Sequence, residues 1–290
     1  MQRITIFGAT GKLGRPVALE LARAGFGVTA MVRHPEAARK LLPDSIRLLP
    51  GDLRDPASIR AALQGADALY LNLSVLPASS PKAFQPEREG LAQAVAAAQE
   101  LGIRRIAYCS SLVQRYQGMN GFDWWVFRLK HKAVRLIRES GIGHTLFYPS
   151  TFMDNFEAGS YRMGSRILLA GVSKHPMYFI ASEDFARQVR RSFELLQPGE
   201  NREYVVQGPE ALTADEAAAR FMAQYRKAKL QAARMPMGMM RMLAPFSRTF
   251  DYGAHIVEAL NEYPETFGAE QTWAELGRPA LSIGAYAAGL

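Results

Sequence analysis

The sequence has little cysteine and no long apolar run. Its 290 residues include one cysteine, Cys109, which excludes an internal disulfide and favours a reducing compartment. No apolar stretch approaches the ~20 residues that a membrane-spanning helix needs. The first predicted strand begins within three residues of the start, which leaves no room for a signal peptide. We therefore expect a cytoplasmic protein with no membrane association.

Blocks of one charge sign are also absent, although the net charge is +8. The basic residues are dispersed along helical patterns, and neither a zinc-finger spacing nor an RNA-binding aromatic motif occurs. A solvated basic surface is therefore favoured over nucleic-acid binding. The five histidines have no metal-ligand spacing, so we predict no metal site.

The first fourteen residues are the most informative part of the chain. Residues 3–7 predict a buried strand, and a helical pattern follows the loop Gly8-Ala9-Thr10-Gly11-Lys12-Leu13-Gly14. Strand, glycine-rich turn and helix in this order form a dinucleotide-binding unit. Gly8 allows the tight turn, Gly11 lets backbone N–H groups approach a pyrophosphate, and Gly14 lets the helix pack against the strand. A βα turn without a ligand is the alternative.

Strand and helix patterns alternate through the first half of the chain, which predicts an α/β fold with a doubly wound parallel (Rossmann) sheet. We assign residues 1–150 to an NADP-binding domain. Residues 151–290 are expected to rejoin the sheet in part and to form a smaller C-terminal substrate lobe. The predicted strands are 3–7, 27–32, 46–49, 68–73, 105–111, 144–148 and one near 204–206, and the predicted helices include 87–101, 123–140, 183–196 and one from the Thr213–Glu216 capping box through Lys229.

The end of the second strand indicates which cofactor binds. An NAD enzyme usually has an acidic residue about twenty residues after the glycine motif, and this chain has Met31-Val32-Arg33-His34 there. Arg33 can pair with a 2′-phosphate and stack on adenine, and Lys12 adds a second cation, so the prediction is NADP(H). Asp52 and Leu53 follow the third strand, where adenine would lie. Alternatively, Arg33 is an ordinary surface residue, and Asp52 is a turn aspartate without a ligand.

Several segments together resemble the NmrA-like branch of the atypical short-chain dehydrogenases, which are NAD(P)-binding Rossmann proteins. The branch includes quinone reductase-like enzymes and redox-sensing regulators. The resemblance covers most of residues 1–225. The segments that carry it are Ile6-Phe7-Gly8-Ala9-Thr10-Gly11, Gly51-Asp52-Leu53, the stretch from Lys130 to Gly141, Pro149-Ser150-Thr151-Phe152-Met153-Asp154-Asn155, and Ala181-Ser182-Glu183-Asp184.

The resemblance implies site residues at the carboxyl edge of the sheet. Lys130 takes the place of the dehydrogenase lysine, but the tyrosine place four residues earlier is Val126, so the usual proton donor is missing. Ser111 matches the dehydrogenase serine. These two, Lys130 and Ser111, are the predicted catalytic residues. The further cofactor ligands are predicted to be Ser74, Lys130, Tyr148, Ser150 and Phe152, and the substrate residues Phe152 and Asn155.

Helical phase favours Lys130 over its neighbour Lys132. Lys130 shares a face with Val126 and Ala133, whereas Lys132 lies on the solvated side. A lysine on a buried face requires a reason, because desolvating a charge is costly. A ribose hydroxyl or a substrate oxygen would supply one. The alternative is that the aliphatic stem is buried while the ammonium remains in water.

Two functions remain open at this point. The first is an NADPH-dependent oxidoreductase that transfers hydride to a quinone, an enone or a similar small apolar acceptor, whose reduced oxygens take protons from water or Lys130. The second is a non-catalytic NADP(H)-sensing regulator that acts through a protein partner. Five methionines within residues 235–242 are interpreted as a wall of the substrate site, as a surface for a homodimer, or as the core of the lobe.

Overall fold

A parallel seven-stranded sheet forms the centre of the protein in the computed structural model, which describes residues 2–290. The strands of the chain are, in order, β1 (Arg3–Phe7), β2 (Gly27–Val32), β3 (Arg47–Pro50), β4 (Ala68–Leu71), β5 (Arg105–Cys109), β6 (Gly143–Pro149), β7 (Arg162–Met163), β8 (Arg166–Ala170), β9 (Arg202–Val206) and β10 (Gln231–Met235). The central sheet has the order β3-β2-β1-β4-β5-β6-β9, which confirms the predicted doubly wound Rossmann fold.

Twelve α-helices connect and cover these strands in the described part of the chain. They are α1 (Gly14–Arg23), α2 (Pro35–Arg39), α3 (Pro56–Leu63), α4 (Leu91–Glu100), α5 (Trp125–Glu139), α6 (Asn155–Ala158), α7 (Ser182–Leu195), α8 (Ala214–Gln224), α9 (Met237–Leu243), α10 (Arg248–Glu262), α11 (Glu270–Leu276) and α12 (Ile283–Ala288). A π-helical turn, Pro86–Gly90, precedes α4.

The sheet is apolar on both faces because helices cover both. Helices α1 and α7 pack together on one face, where Ile4, Ile6 and Val189 are fully buried. Helices α3, α4 and α5 cover the other face with Leu69 and Ile137. Near-continuous apolar strands of this kind are typical of parallel sheets. The predicted strand near 204–206 is β9, and it pairs in parallel with β6, so the second half of the chain does rejoin the sheet.

The C-terminal lobe contains a small sheet that the sequence patterns did not predict. Strand β8 pairs in parallel with β10 and antiparallel with β7, and α10 lies over this sheet. The strands are short, and β8 and β10 are more than 60 residues apart in the chain. The division of the chain at residue 150 stays a prediction, since α7 and β9 complete the sheet domain while neighbouring segments form the lobe.

Several of the predicted boundaries were wrong. Strand β4 ends at Leu71 rather than at residue 73, α4 begins at Leu91 rather than at residue 87, and α5 begins at Trp125 rather than at residue 123. The Thr213–Glu216 capping box is present, but α8 ends at Gln224 rather than Lys229, where the chain turns towards β10. Strand β5 ends at Cys109 rather than Ser111. Among residues 2–290, no helix combines the length and apolarity needed to cross a bilayer.

Candidate functional site

A cleft of about 630 Å³ runs along the carboxyl ends of the central strands. It crosses the point between β1 and β4 where the strand order changes direction, which is where doubly wound sheets bind ligands. The loops after β1, β2, β3, β4 and β5 line it, together with α5 and the segment after β6. The predicted site residues on its wall are Gly8, Thr10, Gly11, Lys12, Leu13, Arg33, Asp52, Leu53, Ser74, Lys130, Phe152 and Asn155.

Two glycines of the loop are required by the backbone. Gly8 has φ +93°, and a Cβ there would lie 2.2 Å from the carbonyl oxygen of Asn72. A Cβ on Gly14 would lie 2.1 Å from the carbonyl oxygen of Gly8. Gly14 is therefore a packing residue and does not line the cleft. Gly11 is exposed to the cleft, and its N–H donates to the Gly8 carbonyl at 3.1 Å.

The start of α1 offers unpaired hydrogen-bond donors to the cleft. Within residues 2–290, the N–H groups of Lys12 and Leu13 have no backbone acceptor, and no side chain caps the helix. Unpaired N–H groups at a helix N-terminus, next to a glycine without a side chain, form the environment that a pyrophosphate requires. The residues present therefore suit a dinucleotide.

Lys12 extends from this loop towards α6. Its Nζ lies 3.2 Å from Oδ1 of Asn155, and partial burial lowers the pKa of the ammonium while nearby Asp154 opposes that shift. Arg33 follows β2 and Asn155 follows β6, on opposite sides of β1 in the sheet order. Lys12 consequently spans the middle of the cleft, and Arg33 lies at its far end.

The far end of the cleft is cationic. Arg33 is exposed there and forms no ion pair with any described residue. Arg54, which sequence reasoning missed, lies 4.8 Å from the centroid of the Phe84 ring and 3.7 Å from Oδ2 of Asp52. Asp52 also accepts the Arg54 N–H at 2.9 Å, as a turn aspartate does. Two arginines and an aromatic ring thus surround the expected adenine end.

The other end of the cleft contains a buried ion pair. Nζ of Lys130 donates to Oε1 of Glu87 at 2.7 Å, and the hydroxyl of Tyr108 donates to the same oxygen at 2.8 Å. The Lys130 side chain is 14% exposed and that of Glu87 is fully buried. The ammonium is therefore inside the protein, and the alternative in which it extends into water does not apply. The second carboxylate oxygen of Glu87 is buried without a partner in the described residues.

The ion pair fixes the charge state of Lys130. Burial acts to lower the pKa of the ammonium, but the charge and hydrogen bond of Glu87 outweigh it, so the pKa lies above its ordinary value. The same carboxylate adds to the effect of burial in raising the pKa of Tyr108. Lys130 therefore stays charged at neutral pH and can donate hydrogen bonds to a ligand.

Besides Gly14, three predicted site residues do not line the cleft. Because β5 ends at Cys109, the serine at the cleft is Ser110, whose hydroxyl accepts from Gln114 at 2.9 Å, and not Ser111. Successive strand residues face opposite sides of a sheet, and Tyr148 lies on the face that α5 covers. Its hydroxyl donates to Glu203 of β9 at 3.2 Å. Ser150 is buried and donates to Glu265 at 2.9 Å.

Phe152, Cys109 and Asn155 complete the inner end of the cleft. Phe152 is held edge-on against Phe185, with ring centroids 5.5 Å apart, so its ring is a fixed surface. Cys109 lies at the floor, and burial raises the pKa of its thiol to about 12. Within the described residues, no group of three or more His, Cys, Asp or Glu side chains could hold a metal ion.

Glu87 is the main residue that the sequence patterns missed. It was read as the start of a helix, and nothing in the local spacing marks it as buried. The sequence did indicate indirectly that such a partner exists, because a lysine on a buried helix face requires an opposite charge nearby. Asn72, which packs against the glycine loop, was missed for the same reason: its partner is distant in the chain.

Comparison with known proteins agrees with this geometry. A family model described as NAD(P)H-binding matches residues 8–191. The chain is 31% identical over 217 residues to a (4-alkanoyl-5-oxo-2,5-dihydrofuran-3-yl)methyl phosphate reductase of Streptomyces griseus, covering 73% of this chain and 70% of that protein. It is 26% identical over 220 residues to an NAD(P)H azoreductase of Xenophilus azovorans, covering 74% and 71%.

A solved structure shows the same fold. The NADPH complex of an NADPH-dependent quinone oxidoreductase from Escherichia coli superposes with a TM-score of 0.72 at 21% identity, over 99% of each chain. The extent of the family match exceeds half of the chain, and it begins at Gly8 of the glycine loop. The predicted binding of a nicotinamide dinucleotide is thereby confirmed, and the chain belongs to the NAD(P)H-binding Rossmann family, as its resemblance to the NmrA-like atypical short-chain dehydrogenases predicts.

Proposed function

We propose that this protein is an NADPH-dependent oxidoreductase that reduces a quinone, an enone or a similar small apolar acceptor. The proposal rests on one observation: three features lie along the same cleft. Unpaired backbone donors lie at its middle, arginines at one end and the buried Lys130–Glu87 pair at the other. The relatives and the structural neighbour described above are named as reductases or oxidoreductases. A cytoplasmic location and a homodimer stay predictions.

Different residues of the cleft would bind different parts of the cofactor. The loop from Gly8 to Leu13 would hold the pyrophosphate, and Arg33 with Arg54 would bind the 2′-phosphate, which favours NADPH over NADH. Asp52, Leu53 and Ser74 would line the adenine and ribose. When bound, the nicotinamide supplies the hydride.

Lys130 would orient ligands and would not transfer a proton. An ammonium has three N–H donors, and Glu87 uses one of them, so two remain for a ribose hydroxyl or an acceptor oxygen. Phe152 gives a fixed aromatic surface against which a planar ring can stack. Acceptors such as quinones suit this site, because their reduced oxygens can take protons from water.

The test is steady-state NADPH oxidation by the purified protein with a panel of quinones, enones and saturated ketones. Nucleotide titration under the same conditions provides the binding constants. We expect turnover with quinones or enones and tighter binding of NADPH than of NADH. Tight NADPH binding with no acceptor reduced would overturn the enzyme and favour the non-catalytic NADP(H)-sensing regulator.

A further inference from the structure

A second cavity, of about 350 Å³, lies in the C-terminal lobe between α10 and the small sheet. We call it the lobe cavity. Its volume is within the ~300–1,000 Å³ range of small-molecule sites. Its walls are mostly apolar and include Leu168, Leu169, Met235, Met240, Ile256 and Leu260.

One wall of the lobe cavity extends along most of α10. Its lining residues on that helix run from Thr249 to Asn261, which is about 18 Å at ~1.5 Å per residue. Gly253 lies midway along this wall and has no side chain, and a Cβ there would lie 3.0 Å from Cε of Met240. The shape suits an extended chain better than a compact ring.

The polar groups around the lobe cavity are mostly occupied by the protein. Arg234 bonds to Asp215 and to the carbonyl of Gly171, and Asn261 donates to the Ala170 carbonyl at 2.9 Å. The Arg234 charge is therefore neutralised, so an anionic ligand has no free partner here. Tyr161 and Tyr252 are also lining residues, and within residues 2–290 neither hydroxyl has a hydrogen-bond partner.

Tyr252 connects the lobe cavity to the inner end of the nucleotide cleft. It packs against the apolar cluster that contains Val126, the residue at the missing tyrosine position, and lies edge-on to Trp124 with ring centroids 4.9 Å apart. Val126 and Leu129 of this cluster lie on the buried face of α5 that also carries Lys130, which places Tyr252 towards the Lys130 end of the cleft. Burial raises the pKa of Tyr252, while the Lys130 ammonium opposes the rise and the Glu87 carboxylate adds to it. Pro77 lines the lobe cavity, while Leu76 of the same loop lines the cleft.

We propose that the lobe cavity binds an aliphatic chain of the acceptor, with the Tyr252 hydroxyl donating a hydrogen bond to the acceptor's carbonyl oxygen where the lobe cavity meets the cleft. The substrate class is thus a carbonyl compound or quinone with a long alkyl or prenyl substituent. The assignment as an acceptor site rests on the proposed function, but binding of such a chain does not.

Isothermal titration calorimetry of the protein without nucleotide tests this, with straight-chain alkan-2-ones of increasing length as the probes. Each methylene that enters the cavity should tighten binding about fourfold until the cavity is filled. Gly253→Leu, which fills the cavity from α10, and Leu168→Phe, which fills it from β8, should each abolish the dependence on chain length. Gly238→Leu is the matched control, because open space surrounds Gly238.

The role of Tyr252 is tested separately. Tyr252→Phe should weaken alkan-2-one binding about fivefold through loss of one hydrogen bond and leave binding of the corresponding alkanes unchanged. Tyr263→Phe is the control, because Tyr263 is another half-buried tyrosine against the same apolar cluster. Equal effects of the two substitutions would remove Tyr252 from the proposal.

The outcomes separate the two proposals. Affinity that does not depend on chain length, or a dependence that persists in both filled variants, overturns the lobe-cavity proposal even if short quinones are reduced. A chain-length dependence that both filled variants abolish, in a protein that reduces no acceptor, supports the lobe cavity as a binding site and overturns the oxidoreductase.

Discussion

The nucleotide cleft and the lobe cavity share the loop that follows β4, yet they are built differently. The cleft is formed by backbone: strand ends, a glycine turn and the N–H groups of a helix start. The lobe cavity is formed by apolar side chains from β8, β10 and α10, which are far apart in the sequence. A site built from backbone groups can therefore be predicted from a local sequence motif, whereas a site formed by side chains from distant segments cannot.

The largest effect is expected from Gly11→Val. The new side chain would occupy space that faces the cleft, so NADPH affinity should fall by about 100-fold or more. Its backbone φ is not positive. A Cβ there would make a tight contact of 3.3 Å with the Gly8 carbonyl oxygen, which a small shift of the exposed loop can relieve, so the fold should persist. Calorimetry with NADPH and with an alkan-2-one measures both cavities. Only the first ligand should be affected, and equal loss of both would show that the cavities are not independent.

A second effect, mainly on stability, concerns Lys130 at the inner end of the cleft. Lys130→Met should lower the free energy of unfolding by about 3–5 kcal/mol, because Glu87 is left buried without its counter-charge. NADPH binding should weaken as well. Lys132→Met removes the same charge from the exposed side of α5 and should change stability by less than about 0.5 kcal/mol.

A double substitution controls for packing in that experiment. Glu87→Gln combined with Lys130→Met removes both charges and should recover part of the lost stability in urea unfolding. Additive losses from the two single changes would mean that the ion pair contributes nothing beyond the two side chains.

A smaller effect is expected at the cationic end of the cleft. Arg33→Asp should weaken NADPH binding by about tenfold to a hundredfold through loss of a charged hydrogen bond and leave NADH binding nearly unchanged. Arg47→Asp makes the same charge change at an exposed residue at the start of β3. If fluorescence titration gave the parent equal affinities for the two nucleotides, the assignment of Arg33 would fail.

The smallest effect is a pH dependence of stability. The pKa of Lys130 is higher in the folded protein than its ordinary value of 10.5, so the group stabilises the fold below pH 10.5. That contribution is lost as pH rises through the folded pKa. The stability difference between the parent and Lys130→Met should thus be constant between about pH 7 and 9 and shrink at higher pH. A difference that already shrinks near pH 8 would contradict the raised pKa.

The parts of the fold that follow local rules were predicted well from the sequence. Strands β1 and β2 have the predicted bounds because continuous apolar runs end at turn residues. Asp55 directly precedes Pro56 and caps α3 in the ordinary way, because its carboxylate accepts the Ala57 N–H at 3.0 Å. Helical phase also identified Lys130 as the buried lysine of α5.

The remainder depends on which distant segments meet. Glu87 pairs with Lys130 across 43 residues, and β8 pairs with β10 across more than 60, so no local pattern reveals either contact. The two-residue error at the end of β5 moved the predicted serine from Ser110 to Ser111. The methionine-rich segment divides in two: Met235 and Met240 line the lobe cavity, while Met239 and Met242 are exposed.

The position of Cys109 affects how readily the protein is alkylated. Quinones and enones are electrophiles that alkylate thiolates, and the chain's one cysteine lies at the floor of the cleft where such molecules would enter. With its pKa raised to about 12, the thiol stays protonated at neutral pH and is a poor nucleophile. The burial that makes Cys109 part of the core thus also protects the protein from covalent inactivation by the acceptors proposed for it.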